Sequence, residues 1–126
     1  MNGPRSLAEL DSAYKKVDKW SLKKLEKHYD QERALVSVTR STIKRLEKIN
    51  QSYLDKASEL VGETVTSETM NKFVEDIREQ TIMFELKSLN QLILTTLKDI
   101  EGERNRLHHH SLISEKLLKK IKNKSI

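Results

Sequence analysis

Three consecutive histidines, His108-His109-His110, are the densest group of metal-ligand side chains in this chain. Neighbouring residues on a helix project about 100° apart, so one regular helix cannot bring all three to a single ion. No further histidine stands four residues away, and His28 is distant in sequence. No metal site is expected. The triplet reads as an exposed helix turn. Its alternative is a charge switch, because protonation below about pH 6.5 adds up to three charges to an already basic segment. With no cysteine, a disulfide framework and a thiolate metal site are both excluded. Catalysis finds no support either. There is no glycine-rich phosphate loop and no nucleophile motif, and Glu75, Asp76 and Glu79 run together with Arg78 as a surface face. Neither an enzyme nor a cofactor is expected.

Cations are the more promising chemistry. The candidate anion-binding residues are Lys16, Lys23, Lys27, Arg40, Lys44, Lys48, Lys116, Lys119, Lys120 and Lys122. On helices, Lys16, Lys23 and Lys27 share one face and Lys44 and Lys48 another. The plain alternative is an ordinary solvated face. Anionic membrane ranks ahead of nucleic acid, which is disfavoured because no base-stacking aromatics interleave with the cations and no DNA-binding motif occurs. The net charge of +5 is unevenly spread. Residues 1–62 carry 13 basic and 9 acidic side chains, residues 63–102 carry 4 and 8, and residues 103–126 carry 7 and 2. A hairpin of the first two segments would set opposite charges side by side and leave basic surface for an anionic partner.

The elements that position these residues are helices. Three glycines and one proline in 126 residues leave long stretches with no breaker. A hydrophobic share of 36% against 34% charged is polar for a compact globule and usual for long helices. One helical domain, 1–126, is expected, with a helix over about 7–61, a turn at 62–66 and a second helix over about 67–123. Ser6-Leu7-Ala8-Glu9 reads as a capping box, and Leu7, Leu10, Tyr14 and Val17 open an apolar stripe. From Leu22 a heptad holds, with Leu22, Tyr29, Val36, Ile43 and Ala57 on one register and Leu25, Leu46, Tyr53 and Leu60 on the other. Glu32, Thr39 and Asn50 are polar positions on that seam, costly to stability but able to fix register. Gly62 suits the positive φ that ends a helix, and Thr66 or Ser67 can cap the next one.

The second helix shows two apolar stripes. Met70, Phe73, Val74, Ile77 and Phe84 lie on one face, and Ile82, Leu86, Leu89, Ile93, Leu97 and Ile100 on another. One partner helix buries about one stripe, so the second stripe needs another surface, the interface of a dimer or the rest of a larger protein of which this chain is a piece. Gly102 is the weak point. If the helix passes through it, the fold is a long antiparallel hairpin; if it breaks there, a three-helix bundle. Either way the expected fold class is all-α and coiled-coil-like, assembled as a dimer or a fragment of one.

The chain also resembles the N-terminal part of F-BAR domains, a family of membrane-binding dimers. Trp20 lies early in the first helix, Glu32-Arg33-Ala34 is similar to that family's "ERA" segment, and Phe73…Ile77…Thr81 followed by Ser88-Leu89…Leu92-Ile93…Leu97 is similar to its second long helix. The chain departs from the family at Ser37 and at Arg40-Ser41. The resemblance implies a rigid antiparallel homodimer that binds anionic phospholipid and reads or imposes curvature, cytoplasmic and peripheral to the membrane. A coiled-coil adaptor for another protein, or a regulatory helical bundle of the kind found in vesicle-fusion proteins, is the alternative. No apolar run approaches the ~20 residues of a membrane span, and the start, Met1-Asn2-Gly3-Pro4-Arg5-Ser6, lacks the apolar core of a signal peptide.

Overall fold

The computed structural model describes residues 17–125. A 3-10 turn, Val17–Lys19, precedes three α-helices: α1, Leu22–Val61; α2, Met70–Asp76; and α3, Gln80–Ser125. No strand occurs among the described residues. The two long helices, α1 and α3, pack against each other, so the chain is all-α as its periodicity requires. Its contacts divide it into two units, residues 1–41 with 103–126 (unit 1) and residues 42–102 (unit 2).

The helix expected over about 7–61 is not continuous among the described residues: α1 begins at Leu22, after the 3-10 turn Val17–Lys19. The amide of Trp20 donates to the Val17 carbonyl at 3.1 Å, which closes the 3-10 turn. Ser21 then starts α1: its hydroxyl accepts from the Lys24 amide at 3.2 Å, and its carbonyl accepts from the Leu25 amide at 3.0 Å. A serine that satisfies a first-turn amide is a start signal, so Trp20-Ser21 separates α1 from anything upstream. The Ser6–Glu9 capping box, with Leu7, Leu10 and Tyr14, lies outside the described residues. Within α1 the heptad seam is as the sequence indicates. Leu25, Val36, Ile43 and Ala57 are buried, and so are the polar seam residues Glu32, Thr39 and Asn50.

In unit 1, Leu25 shares a core with Ile113 and Leu117, flanked by Val17, Trp20, Tyr29 and Ile121. Seven residues beyond Leu25, Glu32 meets His110. Numbers rise along α1 as they fall along α3, so the helices are antiparallel here.

Unit 2 is built on the link between α1 and α2. Gly62 takes φ +74° and its amide donates to the Ser58 carbonyl at 2.9 Å, the left-handed helix end that glycine adopts without strain. The Ser58 hydroxyl donates to the Leu54 carbonyl at 2.8 Å and accepts from the Val65 amide at 2.9 Å, which holds the link against α1. Thr66 and Thr69 then bond reciprocally: each amide donates to the other's hydroxyl, at 2.9 Å and 3.3 Å. This turn occupies residues 66–69, so the next helix starts at Met70 rather than near residue 67.

That next helix is short. Ile77 leaves it with extended backbone, φ −70° and ψ 136°, and Glu79 starts a new one. Its carboxylate accepts from the Thr81 amide at 3.2 Å and the Ile82 amide at 2.7 Å. Those two amide bonds stabilise the charged form and hold the Glu79 carboxyl below the usual glutamate range. The single helix expected over about 67–123 is therefore two, and its break falls at residues 77–79. Gly102 does not break it: α3 runs through Gly102 to Ser125, and the glycine sits on the exposed side.

The break changes the fate of the two apolar stripes. Met70, Phe73, Val74 and Ile77 belong to α2 and its end, a separate element that folds back on unit 2; the Asn90 amide group donates to the Asn71 side-chain carbonyl at 3.2 Å, tying α3 to α2. Ile82, Leu86, Leu89, Ile93, Leu97 and Ile100, expected to remain outside as a dimer interface, are instead the inner face of α3. Leu86, Ile93 and Ile100 are 0, 1 and 4% exposed, and Ile82, Leu89 and Leu97 pack on a core that includes Leu54, Ala57, Val65 and Met70. The correction has a simple cause. One straight helix with two stripes needs two neighbours, and the chain supplies the second neighbour itself by bending at Ile77.

Two expectations follow. A Cβ at Gly102 meets nothing within 4 Å, so Gly102→Ala should raise stability by about 0.5–1 kcal/mol in urea unfolding, whereas Gly62→Ala should lower it by about 1–2 kcal/mol because of its positive φ; a loss at Gly102 would contradict a continuous α3. Glu79→Ala should speed amide exchange at Thr81 and Ile82. Because the Glu79 pKa is lowered on folding, its contribution is complete above the ordinary glutamate range and lost as pH falls through it and below; the protection of the Thr81 and Ile82 amides, taken relative to their intrinsic exchange rates, should thus fall in the unmodified chain on acidification, and not in the variant.

Candidate anion-binding surface

Among the described residues, the seam of unit 1 brings a histidine against a glutamate. His110 Nδ1 and Glu32 Oε2 are 2.5 Å apart, with side chains 12% and 6% exposed. His110 owes its position to heptad phase: Leu89, Thr96, Glu103, His110 and Leu117 follow one another at seven-residue steps on α3. The expectation of a wholly exposed histidine turn is thus corrected for His110. His108 is exposed and His109 half-buried, with their ring centroids 6.2 Å apart. Continuing the apolar register past Gly102 would have placed His110 on the seam. The other buried polar residues of α3 satisfy themselves locally. The Thr96 hydroxyl donates to the Leu92 carbonyl and the Ser114 hydroxyl to the His110 carbonyl, both at 2.8 Å. Asn50 Oδ1 and Arg106 Nε are buried with no hydrogen-bond partner, although the Arg106 guanidinium reaches Glu103 through Nη1 at 3.5 Å.

The seam turns the cations outward. Lys23, Lys27, Arg40, Lys116, Lys119 and Lys122 are exposed and Lys120 is half-buried, all in unit 1. Lys44 and Lys48 are exposed in unit 2, and Lys16 lies outside the described residues. The expected pairing of opposite charges is therefore only partly realised. Antiparallel packing puts the basic start of α1 with the basic end of α3, like with like. Residues 1–41 and 103–126 hold 16 basic and 8 acidic side chains, against 8 and 11 for residues 42–102. Unit 1 is thus strongly cationic and unit 2 mildly anionic.

One cluster escaped sequence reasoning. Lys24 Nζ sits 4.4 Å from the Trp20 ring centroid, and the His28 ring lies 4.6 Å from the same indole. The cation–π contact draws a lysine onto an aromatic face at the edge of the unit 1 core. Trp20 itself packs on that core, just ahead of α1 rather than within it. Its partners four and eight residues on were the available signal. Among the described residues, no group of three or more His, Cys, Asp or Glu side chains is placed to hold a metal ion, and no helix is long and apolar enough to cross a membrane.

Removing one member of a buried pair leaves the other desolvated. His110→Ala should therefore cost about 2 kcal/mol in urea unfolding, while joint replacement, Glu32→Leu with His110→Leu, should stay within about 1 kcal/mol of the parent or exceed it. If the single substitution were silent, the pair would not hold the seam. No family model, curated protein or solved structure matches this chain.

Proposed function

We propose that the protein is a non-catalytic helical scaffold that binds anionic membrane surfaces through the exposed lysines of unit 1. One observation carries this reading: two basic segments far apart in sequence come together in a single unit, with 16 basic against 8 acidic residues. Such like-charge concentration is unfavourable in the isolated molecule and relieved by an anionic counter-surface. Each cation near a charged bilayer contributes about 1 kcal/mol, so four to six lysines suffice for reversible, salt-sensitive attachment. Lysine suits this use, since its flexible stem lets the ammonium find a headgroup without a preformed pocket. The resemblance to F-BAR domains supplies the same class of ligand. Its implied dimer would need residues other than the α3 stripe, which is spent inside the chain. The coiled-coil adaptor remains as a second reading, favoured by an apolar groove in unit 2.

Co-sedimentation with phosphatidylserine-containing vesicles tests the proposal. Binding is expected at about 0.1 M salt and should fall away near 1 M, as the Debye length shrinks from ~10 to ~3 Å; pure phosphatidylcholine vesicles should not bind. Lys23→Glu, Lys27→Glu, Lys116→Glu and Lys119→Glu combined should abolish binding, whereas Lys44→Glu with Lys48→Glu, in unit 2, should leave most of it. No binding at low salt, or the reverse order of the two variants, overturns the assignment.

A further inference from the structure

We infer that unit 2 carries a self-complementary docking surface for a second copy of this chain, centred on Phe84. It involves residues of unit 2 alone and does not depend on the cationic surface of unit 1. Phe84 is the most exposed large apolar side chain among the described residues, at 74%. It stands as a ridge between two open hollows of 460 and 500 Å³, each lined in part by Phe84 and Glu85. The floor of the first hollow is Leu60 from α1 with Leu89 and Leu92 from α3. Leu92 is itself 46% exposed. A ridge and a receiving hollow side by side on one patch is what a two-fold contact requires, because each copy must present both the knob and the hole.

The charges around the patch point the same way. Lys56 on α1 and Glu59 and Glu85 on either side line the same hollow, and Lys87 flanks the other. Both signs thus border one apolar centre, and a two-fold rotation can bring the lysines of one copy to the glutamates of the other. A foreign partner of single charge would gain nothing from this mixture, whereas a second copy meets its own complement. Leu89 is the one residue of the inner α3 stripe that reaches this hollow; Leu86, Ile93 and Ile100 stay buried, so the surface leaves the core of unit 2 intact.

Sedimentation equilibrium over a concentration series tests the inference. A monomer–dimer equilibrium is expected. Phe84→Asp should leave helicity unchanged, and the thermal midpoint too at concentrations where the parent is monomeric, since the ring is exposed, and weaken association by about 30-fold or more, as an anchor at the centre of an interface does. Lys56→Glu and Glu85→Lys should each weaken the dimer, and the two together should restore much of it, a rescue that a merely structural role would not give. The chain contains no cysteine, so Ser88→Cys, placed in the same hollow, should cross-link one copy to another through a single symmetric disulfide under mild oxidation. A monomer at all concentrations up to about 1 mM, the weakest affinity worth ~4 kcal/mol, would overturn the inference and leave the groove to a different protein. A dimer indifferent to Phe84→Asp would overturn it equally.

Discussion

The structure depends on each long helix keeping a single heptad phase. A helix of 3.6 residues per turn drifts against a seven-residue repeat, so an apolar face stays turned to its neighbour only where the phase is actively maintained by what is buried. In α3 one register, Leu86, Ile93, Ile100, Leu107, Ser114 and Ile121, passes Gly102 without a shift. The glycine falls two residues after buried Ile100, on the outer side. Its missing side chain therefore removes nothing from the packing. In α1 the phase survives three polar residues, Glu32, Thr39 and Asn50, all buried. Polar seam residues reduce stability and discriminate among registers. The Glu32–His110 contact is one such discriminator, because a seven-residue slip would leave a buried carboxylate facing Glu103 or Leu117 instead.

Much of α1 was legible in the sequence because one signal, apolar recurrence every three to four residues, acted alone over five heptads. Its buried residues, including the polar ones, are those the repeat names, with Leu54 the one addition. Legibility failed where two signals competed. At Trp20-Ser21 the apolar periodicity continues while a capping hydroxyl marks the start of α1. At residues 77–79 no glycine or proline marks the break; a glutamate does the work of a cap, a role its carboxylate fills by accepting two amides although asparagine, aspartate and serine lead there. At Gly102 the sequence left both a continuous helix and a break open, and the helix continues, since helix propensity is a weak term beside a buried seam. The surplus stripe on α3 was an artefact of the missed break: two faces that could not share one neighbour on a straight helix are reconciled once α2 is a separate piece.

The candidate surface was legible as a list of lysines and not as an arrangement. Which cations gather depends on which segments pair, and pairing depends on where the chain reverses. The reversal at residues 62–69 sets Glu32 opposite His110 and thereby gathers Lys23 and Lys27 into the same unit as Lys116 and Lys119. Charge thus separates as a by-product of register. No individual residue of unit 1 is unusual; its character lies in the sum. Unit 2, with 8 basic and 11 acidic residues, has lost that excess and gained an apolar ridge, so the two units offer different chemistry to their surroundings.

The Ser58 hydroxyl, bonded at once to Leu54 and to Val65, has a kinetic consequence. It joins residues seven apart, whereas the Glu32–His110 contact joins residues 78 apart. The entropy lost on closing a loop grows with the logarithm of its length. Contacts around the reversal are therefore the cheapest to form from the unfolded chain, and once they exist the remaining separation between Glu32 and His110 is spanned by structured helix rather than free coil. The route of least entropic resistance begins at the serine and ends at the histidine.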